Sequence, residues 1–243
     1  MRTNIVILLF LFLCSLTHAQ YHLDYMQLTD SAFMENTHGR YFYCRNIPND
    51  TVRWMYFHHG LKDKQWVSFF DNNIDSGIKV ETYKKGKKHG EWLLYTRFRT
   101  NSGNYKNDKK HSKWVDYSPY ISEEGYYKRG KRVGYWKIYN LPYYTYTGYY
   151  KNGLKEGLWE YYDKELDYLE RIESYKKGLK DGKWIYYNED NPKLIRRIEY
   201  YKADKPDGVW EYYTPISEEE VRIDMKVYYK DGELIEKEYI KKE

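Results

Sequence analysis

A thirteen-residue pattern recurs along most of this chain: Tyr, two residues, Gly, three residues, Gly, one residue, Trp, two residues, Tyr. It is clearest at Tyr150-Lys151-Asn152-Gly153-Leu154-Lys155-Glu156-Gly157-Leu158-Trp159-Glu160-Tyr161-Tyr162. Two aromatic-rich runs flanking an Asn-Gly step are the strongest short-range signal for a β-hairpin. The tryptophans of successive copies are Trp66, Trp92, Trp114, Trp136, Trp159, Trp184 and Trp210, spaced 22 to 26 residues apart. Seven copies at that period imply a repeat architecture rather than one compact core. The expected fold class is therefore all-β: an elongated single-layer antiparallel sheet of tandem β-hairpin repeats.

The turn chemistry supports this reading. The first turn position is Gly60, Gly86, Asp108, Gly130, Gly153, Gly178 and Asp204, so where glycine is lost a residue that tolerates positive φ replaces it. The second position is Lys64, Gly90, Ser112, Gly134, Gly157, Gly182 and Gly208. Its small residues suggest either a bulge or a neighbouring ring lying close to bare backbone. Extra residues fall between one copy's last Tyr and the next copy's first, as at Leu141-Pro142 and Asn188 to Pro192, and read as loops on one side of the array. The tryptophan and the aromatic three residues later have odd separation, which points them to opposite faces of the sheet.

Composition agrees with a thin sheet. Aromatic residues make up 20% of the chain, with 32 tyrosines and eight tryptophans, and such rings can be dry at one end while the other keeps a hydrogen bond to water. The chain divides into 1–19, a secretory signal peptide; 20–55, a divergent N-terminal hairpin acting as a cap; 56–213, seven repeats; and 214–243, a partial repeat acting as the other cap. The signal reading rests on Arg2, the apolar run Ile5–Leu13 and the small Ala19. Cys14 is the alternative, as a lipidation site, but bulky Leu13 precedes it where a small residue is usual. The C-terminal half-copy begins at Tyr229 and has Glu238 where its tryptophan should stand. Repeat arrays need polar terminal units of this kind.

The Tyr-x-x-Gly-x-x-x-Gly-x-Trp-x-x-Tyr copies, best at Tyr83–Tyr95, Tyr127–Tyr139, Tyr150–Tyr162 and Tyr175–Tyr187, resemble the bacterial variant of the MORN repeat (membrane occupation and recognition nexus). The resemblance covers roughly residues 56–233. It implies a ladder of antiparallel hairpins and, for many exported bacterial members, no established activity, while better-known members elsewhere use the repeats as lipid-binding or scaffolding modules. Some relatives carry an antitoxin label, which sits poorly with an exported chain. Better-known members are often fused to an enzyme, and no such domain is expected here.

Catalytic signals are weak. His58, His59, His89 and His111 are the histidines on the repeats, and they read as turn residues rather than as a metal site, since Cys44 is the one cysteine after the leader. Glu123-Glu124 and Glu218 to Glu220 fall in inter-repeat loops and read as solvated charge. No cofactor is expected. A net charge of +5 is too mild to argue for nucleic acid. One series stands out: Lys84, Lys106, Lys128, Lys151, Lys176, Lys202 and Lys230 follow the leading aromatics, with His58 in the first copy. A second series, Lys62, Lys88, Lys110, Arg132, Lys155 and Lys180, ends at Pro206. The lysines either keep turns soluble or form a basic ridge for anionic polysaccharide, lipid head groups or an acidic protein. The tryptophans are either a structural ladder or an exposed row for sugars and cations. The expectation is a non-enzymatic scaffold for another protein at the cell envelope, secreted or periplasmic, with anionic glycan or lipid binding along the ridge as the alternative.

Overall fold

The computed structural model describes residues 39–44, 51–72, 75–140, 143–163 and 167–241. The expected leader, Cys14 and the Leu141-Pro142 loop lie outside them. The described residues contain no helix. They form one antiparallel sheet in which each strand pairs with the strands before and after it in the chain. It has seventeen strands when the three interrupted at Asp63, Asp181 and Asp207 are each counted once. The first strand, Gly39–Cys44, pairs with Thr51–His58, and the last, Glu233–Tyr239, pairs with Val221–Lys230, so the sheet stays open rather than closing into a barrel.

Each hairpin closes through two consecutive residues of positive φ, as at Arg129 (52°) and Gly130 (81°), or Asn152 (55°) and Gly153 (88°). Positive φ at both central positions defines the type I′ turn, whose twist matches that of the flanking strands. Asp108 (63°) and Asp204 (69°) take the same conformation where glycine is missing. The second small position is also left-handed, from Ser112 (62°) to Gly90 (101°), and the pairing register slips beside it, as between Val133 and Lys137. Of the two explanations, the bulge applies: nothing lies within 4 Å of a Cβ built on Gly134 or Gly157.

The close ring approach occurs at other glycines. Gly103, Gly125 and Gly148 stand opposite Trp92, Trp114 and Trp136 on the preceding strands. A Cβ on any of them would fall inside the ring carbons of the following tryptophan, Trp114, Trp136 or Trp159. The indole therefore lies flat across bare backbone, which is how a single-layer sheet buries it. Trp136 and Trp159 are fully buried, and with Ile138 and Tyr161 they form a core packed by Tyr127, Tyr146, Tyr150 and Tyr175. Burying about 200 Å² per tryptophan at roughly 25 cal/mol per Å² is worth on the order of 5 kcal/mol each, as an upper bound.

Candidate functional site: the turn edge and the tryptophan face

The turns are tied to one another. The Gly130 amide donates to the carbonyl of Lys110, Gly153 to Arg132, and Gly178 to Lys155, each at 2.9 Å; the series runs from Gly86 to Gly232. Carboxylates add a second tie, since Glu156 accepts from the Lys177 amide at 2.7 Å and Asp207 from the Asp231 amide at 3.2 Å. His89 occupies the equivalent place and pairs through Nδ1 with the Asn107 side chain at 3.2 Å. The turns thus form a continuous edge whose geometry is set by backbone.

Along that edge Lys84, Lys106, Lys128, Lys151, Lys176, Lys202 and Lys230 are all exposed. Each occupies the last strand position before its turn, directly opposite the residue that opens the next strand. Four of these facing pairs are Lys with Lys: Lys84–Lys87, Lys106–Lys109, Lys128–Lys131 and Lys202–Lys205. Like charges facing one another across a strand pair are destabilising, so the fold gains nothing from this arrangement. The six four-residue tips from Lys84 to Lys205 hold thirteen Lys or Arg against two Asp, a net of +11 in a chain whose total is +5.

The second basic series lies elsewhere. Lys62, Lys88, Lys110, Arg132, Lys155 and Lys180 are half-buried on the tryptophan face and do not extend the row. The Lys110 ammonium sits 4.2 Å from the Trp114 ring centre and 5.1 Å from Tyr127; Arg132 sits 4.4 Å from Trp136 and 5.3 Å from Tyr150; Lys155 is 4.5 Å from both Trp159 and Tyr175. Each cation is held between its own tryptophan and the next repeat's tyrosine, a cation–π slot. Burial pushes the Lys110 and Lys155 ammonium groups below the ordinary lysine value. Where Pro206 replaces the cation, Trp210 and Tyr229 come to 4.6 Å between ring centres.

The tryptophans are covered rather than displayed. Trp66, Trp114, Trp136, Trp159 and Trp184 are all buried, while Trp92 and Trp210 are half-buried. The leading tyrosines meet them edge-on from Trp92 to Trp159, as Tyr127 does Trp136 at 5.1 Å and Tyr150 does Trp159 at 5.0 Å, and at a tilt towards the ends, as Tyr83 does Trp66 and Tyr201 does Trp210. The indole N–H groups of Trp114, Trp159, Trp184 and Trp210 donate to carbonyls on the preceding strand at 3.0 to 3.2 Å. Such a row offers its faces to lysine and backbone, leaving little for a sugar.

Sequence reasoning missed the position two residues before each leading tyrosine. It is glycine at Gly103, Gly125 and Gly148 but a buried carboxylate at Glu81, Glu173 and Glu199. Glu173 accepts from Arg171 at 2.9 Å and from the Tyr175 hydroxyl at 2.7 Å, and Glu199 accepts from Tyr201 at 2.9 Å. Glu81 accepts from Lys79 at 3.0 Å and faces Lys88 at 3.5 Å. Burial works to raise the Glu81 carboxyl, but the Lys79 hydrogen bond and the Lys79 and Lys88 charges outweigh it and hold it below the usual carboxylate value. Counting back from the leading tyrosine would have exposed this Gly/Glu alternation in the sequence.

No group of three or more His, Cys, Asp or Glu is placed to hold a metal among the described residues. The notch lined by Lys110, Trp114, Asp116, Glu123, Tyr127 and Trp136 encloses no room even for a water molecule, whereas small-molecule sites span roughly 300–1,000 Å³. No helix among the described residues is long and apolar enough to cross a membrane. Neither the family models nor the curated proteins contain a match to this chain.

Proposed function

We propose that this protein is a non-catalytic binding scaffold whose lysine-rich turn edge holds an extended anionic partner. The observation that carries this reading is the concentration of exposed cations on one edge, including the facing lysine pairs that cost the fold stability. Equivalent tips lie about 10 Å apart, two strand spacings, close to the Debye length of about 8 Å at physiological salt. Neighbouring tips therefore repel weakly, while one polyanion can bridge several of them. The apolar run and Ala19 support an exported location, and the turn and tryptophan spacing supports membership of the MORN-type repeats, whose scaffolding and lipid-binding uses agree with an edge of this kind.

The test compares the wild-type chain with a Lys106→Gln/Lys128→Gln/Lys151→Gln/Lys176→Gln variant for binding to inorganic polyphosphate at low and high salt. Binding that weakens steeply with salt and is lost in the variant is the expected result. Equal binding by the two proteins, or none by either, would leave the lysines as solubilising groups and favour an uncharged protein interface.

A further inference from the structure

The sheet face opposite the tryptophans carries an aromatic patch that the repeat does not require. Tyr126, Tyr135, Tyr149 and Leu158 each precede a residue of the buried face, Tyr127, Trp136, Tyr150 and Trp159, and alternation turns them to the other side. They are 51%, 48%, 57% and 60% exposed. Tyr135 stands directly opposite Tyr149 across the strand pair, with ring centres 5.4 Å apart. In flanking copies the same positions are filled by Thr82, Asn104 and Ser174, or by Glu91, Lys113 and Lys183, so packing there is satisfied by polar side chains. Tyr200 and Tyr228 return to aromatic character but are half-buried.

The patch adjoins the basic edge in a fixed way. Lys128 lies two residues beyond Tyr126 on the same strand, and Lys151 two residues beyond Tyr149. Residues two apart in a strand share a face and are separated by about 7 Å. Each central hairpin therefore offers an exposed tyrosine with an exposed lysine two residues along on the same face, and the next hairpin repeats the couple about 10 Å away.

Resting on the polyanion reading of the turn edge, we propose that Tyr126–Lys128 and Tyr149–Lys151 are subsites for an acidic polysaccharide built from hexuronate rings. A tyrosine face takes the apolar C–H face of a pyranose, and the lysine beside it pairs with the ring's carboxylate. Charge complementarity selects an acidic chain, and the tyrosines select one with rings. A bilayer laid against the turn edge would meet the tips, whereas these tyrosines are set back from the tips on one face and in two hairpins only.

The experiment titrates oligogalacturonate into wild-type protein, a Tyr126→Ala/Tyr149→Ala variant, a Tyr126→Trp/Tyr149→Trp variant and a Lys128→Gln/Lys151→Gln variant. Inorganic polyphosphate and anionic phosphatidylserine vesicles are run beside it, and thermal melts verify folding. Loss of about tenfold in oligogalacturonate affinity on removing the tyrosines, retention with tryptophan, and unchanged polyphosphate binding would bear the proposal out. Oligogalacturonate binding that ignores the tyrosines but needs the lysines would overturn the sugar subsites and leave the basic edge standing. Vesicle binding lost with the tyrosines would overturn them in favour of a membrane. If neither oligogalacturonate nor polyphosphate binds, the subsites and the edge fall together.

Discussion

The glycines at 103, 125 and 148 carry more of this fold than their size suggests. Each lets an indole rest on the backbone of the neighbouring strand, with a lysine or arginine closing over the other side. Gly125→Ala would drive a methyl group into the Trp136 ring and is expected to cost about 1–3 kcal/mol, the usual range for overpacking. Gly157→Asn, at a bulge with open space around it, should cost less, because asparagine tolerates positive φ; chemical denaturation of the two variants makes the comparison. Glu81 plays the glycine's part differently, holding its charge against burial. Its carboxyl lies below the usual value in the folded chain, so its contribution to stability is present above the unfolded value of about 4.3. That contribution is lost as pH falls through the folded value. A Glu81→Gln variant should therefore lose less stability than wild type between about pH 5 and pH 3, as measured by denaturant melts at both pH values.

Hairpins were the most legible level of this protein. The Asn-Gly and Lys-Gly steps, the aspartates at 108 and 204, and the even return of tryptophan all speak of local backbone geometry, which neighbouring residues decide. An N-terminal hairpin was legible too: Gly39–Cys44 and the start of Thr51–His58, which pair antiparallel, fall within the 20–55 segment expected to form one. Less legible was which residues meet across strands. The bulge moves the register between Gly148 and Tyr149, so the partner of each tryptophan cannot be counted from the turn. That is why Gly125 and Glu173 escaped notice. The two basic series were separable by counting: Lys109 faces Lys106 and Lys131 faces Lys128, so alternation turns Lys110 and Arg132 to the opposite face, beside Tyr105 and Tyr127. The Tyr126 and Tyr149 patch was hidden for another reason: a search for what repeats passes over what departs from the repeat.

The whole molecule is a one-dimensional array, in which stability is a sum of hairpin terms and neighbour terms. Burial is deepest in the middle, at Trp136 and Trp159, and shallower at Trp92 and Trp210. The last strand, Glu233–Tyr239, is exposed along its entire length. Amide hydrogen exchange should therefore show the greatest protection in the strands from Glu124 to Asp163 and fall towards both ends. Uniform protection along the array would instead indicate a single cooperative unit. Charge is unevenly placed across the sheet as well, with lysine tips on one edge and Glu189, Asp190 and Glu218 to Glu220 in loops on the other.

The amide-to-carbonyl ties between successive turns give the edge a graduated scale. Each hairpin from Lys84 to Lys205 adds about 10 Å and a net charge of between +1 and +3 at its tip, so on the proposed function the number of copies would set how long a polyanion must be to occupy every mark. Deleting one repeat would shorten the ruler by one division without altering any single subsite, and the favoured ligand should shorten by the same step. Selection for chain length would then be a matter of counting, tunable by gene duplication alone.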